Sequence, residues 1–186
     1  FYGHPTEKLN LIGITGTNGK TSTTYFIKSI LETTKHMVGV IGTIGALAGD
    51  RQLQTRSTTP TTPESPHLQH MFADMIDSGV EYCVMEVSSH ALSLKRANAS
   101  RFNAGVFTNL SPDHLELHRT MDEYFEAKAS LFDLTTDFNI VNADDSFGRR
   151  LIERVKTYDT KLVTYAIDAE ADIRAENIQY DADNTS

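Results

Sequence analysis

Short apolar runs alternate along this chain with longer segments in which apolar residues recur every three or four positions. A short apolar run bounded by turn residues predicts a buried strand, and the longer periodicity predicts a helix that packs one face on a sheet. The predicted strands cover 9–15, 36–44, 82–87, 104–108, 138–142, 162–166 and 172–180, with a loop or hairpin at 45–57 and a helix between the strands at 138–142 and 162–166. This alternation is typical of an α/β fold, in which a mostly parallel sheet is flanked by helices.

The other predicted helices carry end signals. Thr62-Pro63 opens one helix, because threonine caps well and proline suits the first helical position, and Gly79 closes it. Thr120 and Glu123 form a capping box for a helix that runs to about Phe132. The expected inner faces are Phe26, Ile27, Ile30 and Leu31 on a helix at 20–32, and Leu68, Met71, Phe72, Met75 and Ile76 on the helix that follows Pro63.

Composition narrows the class of protein. The chain has 186 residues, of which 39% are hydrophobic and 23% charged, as is typical of a soluble globular protein. Its 17 basic and 25 acidic residues give a net charge of −8, and without a long basic cluster this disfavours a nucleic-acid-binding protein. No apolar run approaches the roughly 18 residues of a membrane span, and nothing resembles a secretory signal. Because the one cysteine, Cys83, cannot form an intramolecular disulfide, we expect a cytoplasmic protein.

A glycine-rich turn stands between the first predicted strand and the helix at 20–32. It runs Gly13-Ile-Thr-Gly16-Thr-Asn-Gly19-Lys20-Thr21, and such a turn lets backbone N–H groups and the helix N-terminus contact phosphate oxygens. Lys20 would contact the β- and γ-phosphates, and the Thr21 hydroxyl would bind Mg²⁺. The usual spacing places glycine where Ile14 stands, and the alternative is an ordinary turn. The Gly-Lys-Thr sequence in this context favours a phosphate loop and a phosphate-loop NTPase-like fold.

A carboxylate from a neighbouring strand would complete a magnesium site. Glu86 lies near the end of the apolar strand 82–87, and nucleotide sites in such sheets lie at the carboxyl ends of the strands. A glutamate in an apolar strand is costly to bury without a partner, which favours a functional carboxylate over a solvated charge. Ser88 and Ser89 follow at the same edge.

Three histidines lie near this expected site, and each has an ordinary alternative. His90 by itself is more often structural than catalytic. His114 follows the strand at 104–108 and is either a metal ligand, a base or neither, since a single histidine in a loop usually has no such role. His118 is expected at the surface.

Lys128 is the lysine with the most unusual surroundings. It shares a helix face with Tyr124, Leu131 and Phe132 by the spacing of three and four residues. Such a lysine usually extends to water. If it is instead held near the site with its amine desolvated, its pKa falls and the neutral amine becomes reactive. The sequence leaves both possibilities open.

Several short motifs occur in a fixed order along the chain. They are Gly16-Thr-Asn-Gly-Lys-Thr21, Thr61-Thr-Pro63, Met85-Glu-Val-Ser-Ser-His90, Thr108-Asn-Leu110 followed by Asp113-His114, and Glu126-Ala-Lys128. Together they closely resemble the central ATP-binding domain of the Mur ligases, over Leu11 to about Asp145. The Thr-Thr-Pro and Glu-Val-Ser-Ser-His motifs are similar to those of the members that add a diamino acid. The Thr-Thr-Pro motif also occurs at Thr58-Thr59-Pro60, but the distance to the following helix favours Thr61-Thr62-Pro63 as the matching copy.

The resemblance implies a role for each matching residue. Lys20, His114 and Lys128 match catalytic residues, and Glu86 with Thr21 matches the ligands of a first Mg²⁺. His114 and a carbamylated Lys128 match the ligands of a second Mg²⁺. The nucleotide-binding residues matched are Gly16, Thr17, Asn18, Gly19, Lys20, Thr21, Ser22 and Asn109. The residues matched for the UDP-muramoyl substrate are Thr61, Thr62, Ser88 and Arg96, whose planar fork suits a diphosphate.

The reaction implied by the resemblance is amide ligation in peptidoglycan precursor synthesis. ATP and a diamino acid, L-lysine or meso-diaminopimelate, would act on UDP-MurNAc-L-Ala-D-Glu through an acyl phosphate. Mur ligases also have an N-terminal uridine-binding domain and a C-terminal domain that selects the amino acid, and neither is expected within these 186 residues. With Phe1 rather than Met at the start and no completed element at the end, we expect a fragment of the central domain that is monomeric and inactive alone.

Two alternative functions remain at this point. One is another ligase of the same fold, such as folylpolyglutamate synthetase. The other is a phosphate-loop GTPase switch or a non-catalytic nucleotide-binding module, which is disfavoured because the chain has no Asn-Lys-x-Asp guanine motif. Leu94 stands where some relatives have a polar residue, so one substrate contact is in question.

Overall fold

Nine strands form one sheet within residues 2–54, 61–112 and 118–179, which the computed structural model describes. The strands are β1 (Asn10–Thr15), β2 (Val38–Gly42), β3 (Gly45–Ala48), β4 (Arg51–Gln52), β5 (Tyr82–Glu86), β6 (Phe102–Phe107), β7 (Thr135–Asn142), β8 (Lys161–Ala166) and β9 (Ile173–Arg174). The helices are α1 (Lys20–Thr33), α2 (Ser65–Asp77), α3 (Ser89–Ser93), α4 (Met121–Ala129) and α5 (Ser146–Val155), with 3-10 turns at Pro5–Glu7 and Phe132–Leu134. This order confirms the α/β class.

The sheet has the order β4-β3-β2-β5-β1-β6-β7-β8-β9. β3 pairs antiparallel with β2 and β4, and the other neighbouring strands are parallel. Because β1 lies between β5 and β6, the carboxyl ends of these three strands meet at one edge. The register sets Ile14 beside Glu86 and Thr15 beside Phe107. Side chains that follow the three strands are thereby brought together.

The direction of each crossover decides which face its helix covers. Crossovers between parallel strands are right-handed. The β1-to-β2 connection moves along the sheet toward β4, whereas the later parallel crossovers move toward β9. Helix α1 therefore covers the face opposite to the one that the later helices cover. Ile27 and Leu31 of α1 pack there on a small cluster formed by Ile14, Val38, Val84 and Val106. Helices α2, α4 and α5 supply the larger cluster. Burial of a Leu, Met or Phe side chain in it contributes roughly 1.5–3 kcal/mol.

The predicted inner face of α1 is half wrong. Ile27 and Leu31 face the sheet, but Phe26 and Ile30 are 68% and 65% exposed. Consecutive helical residues are about 100° apart, so Phe26 and Ile30, each one position before a residue that packs on the sheet, point away from it. The sequence pattern therefore predicted a wider buried face than the one that packs on the sheet.

The predicted start of α2 is also wrong, although its inner face is confirmed. The helix begins at Ser65, with Glu64 at the N-cap position, rather than at Thr62-Pro63. The Thr62 hydroxyl is used elsewhere, because it donates to the Glu86 carbonyl at 2.9 Å and accepts from the Ser88 N–H at 3.1 Å. The side chains buried on the inner face are Leu68, Met71, Phe72 and Met75, with Ile76 partly buried.

Other elements differ from their predictions mainly in length. The N-cap at Thr120 is confirmed, because Thr120 Oγ1 accepts from the Glu123 N–H, but the Glu123 carboxylate accepts from the Arg119 N–H instead of closing the capping box on Thr120. Helix α4 ends at Ala129, and a 3-10 turn follows at Phe132–Leu134. The stretch at 45–57 begins with the hairpin of β3 and β4. Of the predicted last strand, the structure describes 172–179, and within that range only Ile173–Arg174 pairs. The pattern did not predict the short helix α3. No helix of the described ranges has the length and apolar character needed to cross a bilayer.

Cys83 in β5 provides a test of the core. Its side chain is fully buried, and burial raises the pKa of the thiol. The neutral thiol therefore persists in the folded state at pH values where a free cysteine forms thiolate, which is the reactive form. We expect alkylation by iodoacetamide at pH 8.5 to be at least tenfold slower than in denaturant and to follow global unfolding. Labelling at the rate of a free thiol without denaturant would contradict this burial.

Candidate active site

A cleft opens where the carboxyl ends of β1 and β5 meet the first turn of α1. It is lined by Thr17 to Ser22 of the glycine-rich loop, by Thr43 and Thr61, by Glu86, Ser88 and Ser89, and by Tyr124 and Lys128 of α4. Most residues that the sequence singled out therefore lie together. His114, Asp113 and the Thr58-Thr59-Pro60 copy lie outside the described residues.

The end of β6 holds the glycine-rich loop in place. The Asn109 carbonyl accepts from the Thr17 N–H at 2.9 Å, and the Asn109 side chain both accepts from the Asn18 N–H at 3.0 Å and donates to the Asn18 carbonyl at 3.1 Å. Thr108 Oγ1 donates to the same carbonyl at 2.7 Å. Asn109, predicted to bind nucleotide, is thus a support of the loop backbone in this structure.

Two lysine amines converge on one carbonyl of the loop. Lys20 Nζ donates to the carbonyls of Gly16 and Thr17 at 2.9 and 2.8 Å, and Lys128 Nζ donates to the Gly16 carbonyl at 2.7 Å. Positive charge is therefore concentrated beside the loop although the chain as a whole carries −8. Ammonium groups and a helix N-terminus are groups that favour negatively charged ligands, so this side of the cleft could accept an anion.

Glu86 is buried at the end of β5 with its carboxylate hydrogen-bonded. The residue is 1% exposed; Oε1 accepts from Thr21 Oγ1 at 2.9 Å and from the Thr43 N–H at 3.0 Å. Oε2 accepts from Thr43 Oγ1 at 3.0 Å. Burying a carboxylate without such donors costs several kcal/mol. The predicted pairing of Thr21 with Glu86 is thus present.

Thr43 is a residue that sequence reasoning missed. It follows β2, the strand beside β5, and so reaches the same edge of the sheet. The available signal was a hydroxyl residue directly after a predicted strand. Its closeness to Glu86 depends on the pairing of β2 with β5, which the sequence pattern does not reveal.

The oxygen atoms of Thr21 and Glu86 could hold a hard cation. Among the described residues, no three His, Cys, Asp or Glu side chains are grouped closely enough to bind a metal by themselves. Mg²⁺ usually takes one or two protein oxygens and completes its shell with water and phosphate oxygens. The pair therefore fits a magnesium ion that arrives with a phosphate ligand.

Lys128 does not extend to water. It is 1% exposed, and its amine lies 4.5 Å from the centroid of the Tyr124 ring as well as against the Gly16 carbonyl. The Tyr124 hydroxyl is 3.3 Å from Thr17 Oγ1, so the same helix face contacts the loop. Of the two possibilities for this lysine, the structure shows the one in which it is held at the site.

His118 was expected at the surface, and that prediction is wrong. It is 5% exposed, its Nε2 lies 3.0 Å from Ser89 Oγ, and its ring stacks on Tyr124 with centroids 4.9 Å apart. The imidazole is buried because α3 and α4 pack together and leave a polar partner at Ser89. Such a pairing across sequence-distant helices has no local signal.

The four residues predicted to bind substrate fall into two pairs. Thr61 and Ser88 line the cleft, and Ser88 Oγ also caps α3 by accepting from the Ala91 N–H at 3.1 Å. Thr62 and Arg96 are buried behind it. Arg96 donates to the Thr62 carbonyl at 3.3 Å and pairs with a carboxylate oxygen of Glu64 at 2.7 Å. This pair anchors the segment that carries Thr61.

A family model described as the Mur ligase middle domain matches residues 14–186 of this chain. The chain is 46% identical over all 186 residues to the UDP-N-acetylmuramoyl-L-alanyl-D-glutamate--2,6-diaminopimelate ligase of Clostridioides difficile (strain 630), covering 38% of that protein. It is 51% identical over 178 residues, 96% of its length, to the ligase of that name from Alkaliphilus metalliredigens (strain QYMF), covering 35% of it. The chain thus spans little more than a third of these relatives.

Solved structures give the same fold. A UDP-N-acetylmuramoyl-L-alanyl-D-glutamate--2,6-diaminopimelate ligase superposes with a TM-score of 0.85 and 30% identity over 95% of this chain and 36% of that one. A Mycobacterium tuberculosis folylpolyglutamate synthase complexed with ADP and AMPPCP superposes with a TM-score of 0.71 over 97% of this chain and 47% of that one. At 16% identity the second likeness shows the fold alone. The expected α/β nucleotide-binding fold is confirmed.

Substitution of Gly16 tests how closely the loop packs on β6. Gly16 has φ +151°, and a Cβ there would lie 1.9 Å from Thr108 Oγ1. Gly45 is a matched control, with φ +131° and no atom within 4 Å of its Cβ position. Both alanine variants carry backbone strain of about 1–3 kcal/mol, and only Gly16→Ala adds an overlap. We expect urea denaturation to show the larger loss of stability for Gly16→Ala; equal losses would contradict the packing.

Proposed function

Because the chain belongs to the Mur ligase family, we propose that it is the ATP-binding middle part of a ligase of the MurE type. The proposed enzyme joins 2,6-diaminopimelate to UDP-MurNAc-L-Ala-D-Glu in peptidoglycan precursor synthesis. The observation that carries the proposal is one cleft that combines a phosphate loop, a buried glutamate and a buried lysine. Relatives at 46% and 51% identity bear the name of this ligase, which favours diaminopimelate over L-lysine.

The proposed nucleotide site is the loop from Gly16 to Ser22. The first N–H groups of α1 have no acceptor within the helix, so they suit phosphate oxygens. Lys20 lies at the first position of α1, and its amine would exchange the Gly16 and Thr17 carbonyls for the β- and γ-phosphates. The folylpolyglutamate synthase with the same fold was solved with ADP and AMPPCP, which supports a nucleotide here.

Thr21 and Glu86 would hold the first Mg²⁺. Their oxygens already lie 2.9 Å apart, and the Thr21 hydroxyl would turn from donating to Glu86 to binding the cation through its lone pair. When bound, Mg²⁺ neutralises phosphate charge and so assists transfer of the γ-phosphoryl group. The residues present fit this ion by charge and by the hardness of their oxygens.

We propose that Lys128 is carbamylated and, with His114, holds a second Mg²⁺. The neutral amine would attack CO₂, forming an N–C bond and releasing a proton, which leaves a carbamate anion. The carbamate keeps one N–H, which can still donate to the Gly16 carbonyl. The Lys20 amine donates to the same carbonyl, so carbamylation would replace a repulsion between two cations by an attraction.

The substrate that carries the D-glutamyl carboxylate would enter from the side of Thr61 and Ser88. Both line the cleft, so both could contact the UDP-muramoyl dipeptide directly. Arg96 would contribute to binding by exchanging Glu64 for the substrate diphosphate, or by fixing Thr62 and hence Thr61. The remaining parts of the ligase would supply the uridine site and the selection of the diamino acid, in a cytoplasmic monomer.

The proposed chemistry has two steps. An oxygen of the D-glutamyl carboxylate attacks the γ-phosphorus of ATP, and ADP leaves. The amine of the diamino acid then attacks the carbonyl carbon of the acyl phosphate, loses a proton, and phosphate leaves as the amide forms. Two anions must approach each other in the first step, so the contribution of this chain is mainly positioning and neutralisation of charge, in which Lys20 and Arg96 take part.

Carbon-13 NMR with labelled bicarbonate tests the carbamate on Lys128. We expect a carbamate resonance in the intact ligase that is absent from Lys128→Ala, with phosphate release lowered at least a hundredfold. Lys28→Ala is the matched control, because Lys28 lies on α1 and pairs with the partly exposed Glu32. A resonance that survives in Lys128→Ala would contradict the carbamate proposal and leave the ligase proposal standing.

Phosphate release from ATP by the intact ligase tests the function itself. The assay contains UDP-MurNAc-L-Ala-D-Glu and, in separate arms, meso-diaminopimelate or L-lysine. We expect release that requires the nucleotide sugar together with diaminopimelate, and no amide formation by the 186-residue chain alone. A requirement for L-lysine instead would show that the proposed amino acid substrate, diaminopimelate, is wrong. Release that is indifferent to both substrates would contradict the ligase and favour a nucleotide-binding module or another ligase.

A further inference from the structure

We propose that Thr43 is a positioning residue, which orients the Glu86 carboxylate and couples it to the segment that carries Thr61. Thr43 lies just after β2 and contacts both carboxylate oxygens of Glu86: its N–H donates to Oε1 and its Oγ1 donates to Oε2, each at 3.0 Å. Its Oγ1 also lies 3.0 Å from Thr61 Oγ1. The inference rests on the proposed function, in which Glu86 binds Mg²⁺.

The direction of the hydrogen bonds follows from the number of protons. An ionised carboxylate only accepts, so the Thr43 hydroxyl must use its one proton toward Glu86. The short contact between the two threonine hydroxyls therefore requires Thr61 to donate and Thr43 to accept. The result is a directed chain of hydrogen bonds from Thr61 through Thr43 to Glu86.

The backbone around Thr43 is shaped to the carboxylate. A Cβ at Gly42 would lie 2.3 Å from Glu86 Oε1, so the carboxylate rests directly on the Gly42-Thr43 backbone. Oε1, which Thr43 holds through its N–H, is also the oxygen that faces Thr21. The Thr43 N–H thus holds the oxygen that faces a cation bound at Thr21, and the Thr43 hydroxyl holds the other oxygen, so that the carboxylate is kept from rotating. Partners of this kind typically change metal affinity by about 10–100-fold when removed.

The other end of the chain is held in an uncommon conformation. Thr61 has φ +70°, which a β-branched residue rarely adopts without support from its surroundings. That support comes from Thr62, whose hydroxyl binds the Glu86 carbonyl and the Ser88 N–H. Thr61 is thereby held at the edge of the cleft with its hydroxyl on Thr43.

This arrangement couples the two ends of the cleft. A substrate group that accepts a hydrogen bond from the Thr61 hydroxyl would remove the hydrogen bond that Thr61 donates to Thr43. Thr43 in turn holds the Glu86 carboxylate, which is the proposed ligand of the cation. By linkage, occupation of either end then changes the affinity of the other by the same factor. Thr43 requires no contact with substrate or cation for this effect.

The test compares Mg²⁺-dependent ATP binding by the intact ligase and its variants, measured by titration calorimetry. Thr43→Val keeps the size and the N–H but removes the hydroxyl, and we expect the Mg²⁺ concentration for half-maximal tight binding to rise about tenfold. ATP binding without Mg²⁺ is expected to stay within twofold. Thr43→Ser restores the hydroxyl and should restore the Mg²⁺ dependence.

Thr24→Val is the matched control. Thr24 is buried in α1, and its hydroxyl has no hydrogen-bond partner within the described part of the chain, so the same substitution should leave the Mg²⁺ dependence unchanged. Thr61→Ala should raise the Mg²⁺ requirement in the wild-type background and have no further effect in Thr43→Val. An unchanged Mg²⁺ dependence in Thr43→Val would overturn the inference. If the wild-type ligase itself shows no Mg²⁺-dependent ATP binding, the proposed function fails instead.

Discussion

The buried carboxylate of Glu86 is the constraint on which the rest of the cleft depends. A carboxylate in a residue that is 1% exposed must be met by donors, and these donors come from two separate parts of the chain, while a third part holds the backbone carbonyl of the same residue. Thr21 reaches it from the first turn of α1 and Thr43 from the end of β2, while Thr62 holds the carbonyl of the same residue. Satisfying one residue therefore fixes the phosphate loop, the end of a neighbouring strand and the segment before α2 relative to one another.

The second organising feature is the Gly16 carbonyl, on which Lys20 and Lys128 converge. Because α4 is far from the loop in sequence, this contact joins two halves of the chain at the point where negative charge is proposed to arrive. The Asn109 amide fixes the same loop from β6 through the backbone of Asn18. Two amines thus lie beside the loop in a chain that is acidic as a whole, and the charges local to a site rather than the net charge govern what binds there.

Features whose signal is local could be predicted from the sequence. The alternation of strands and helices, the glycine-rich loop before α1, the N-cap at Thr120 and the buried glutamate at the end of β5 all follow from short patterns. The width of the buried face of α1 could not be predicted, because it depends on how the helix lies on strands that are distant in sequence. Thr43 and His118 were missed or misjudged, since their roles come from strand order and helix packing that join distant residues. The predicted start of α2 was wrong for the same reason, because the Thr62 hydroxyl donates to the Glu86 carbonyl of β5 instead of capping the helix.

The most direct test of this account is the position of a divalent cation relative to Glu86. Crystals of the intact ligase grown with a non-hydrolysable ATP analogue and Mn²⁺ would show the ion by anomalous scattering. The account predicts a peak about 2.1 Å from oxygens of Thr21 and Glu86, with the γ-phosphate beside Lys20. A nucleotide bound at the loop with the cation away from Glu86, or a nucleotide bound elsewhere, would contradict it.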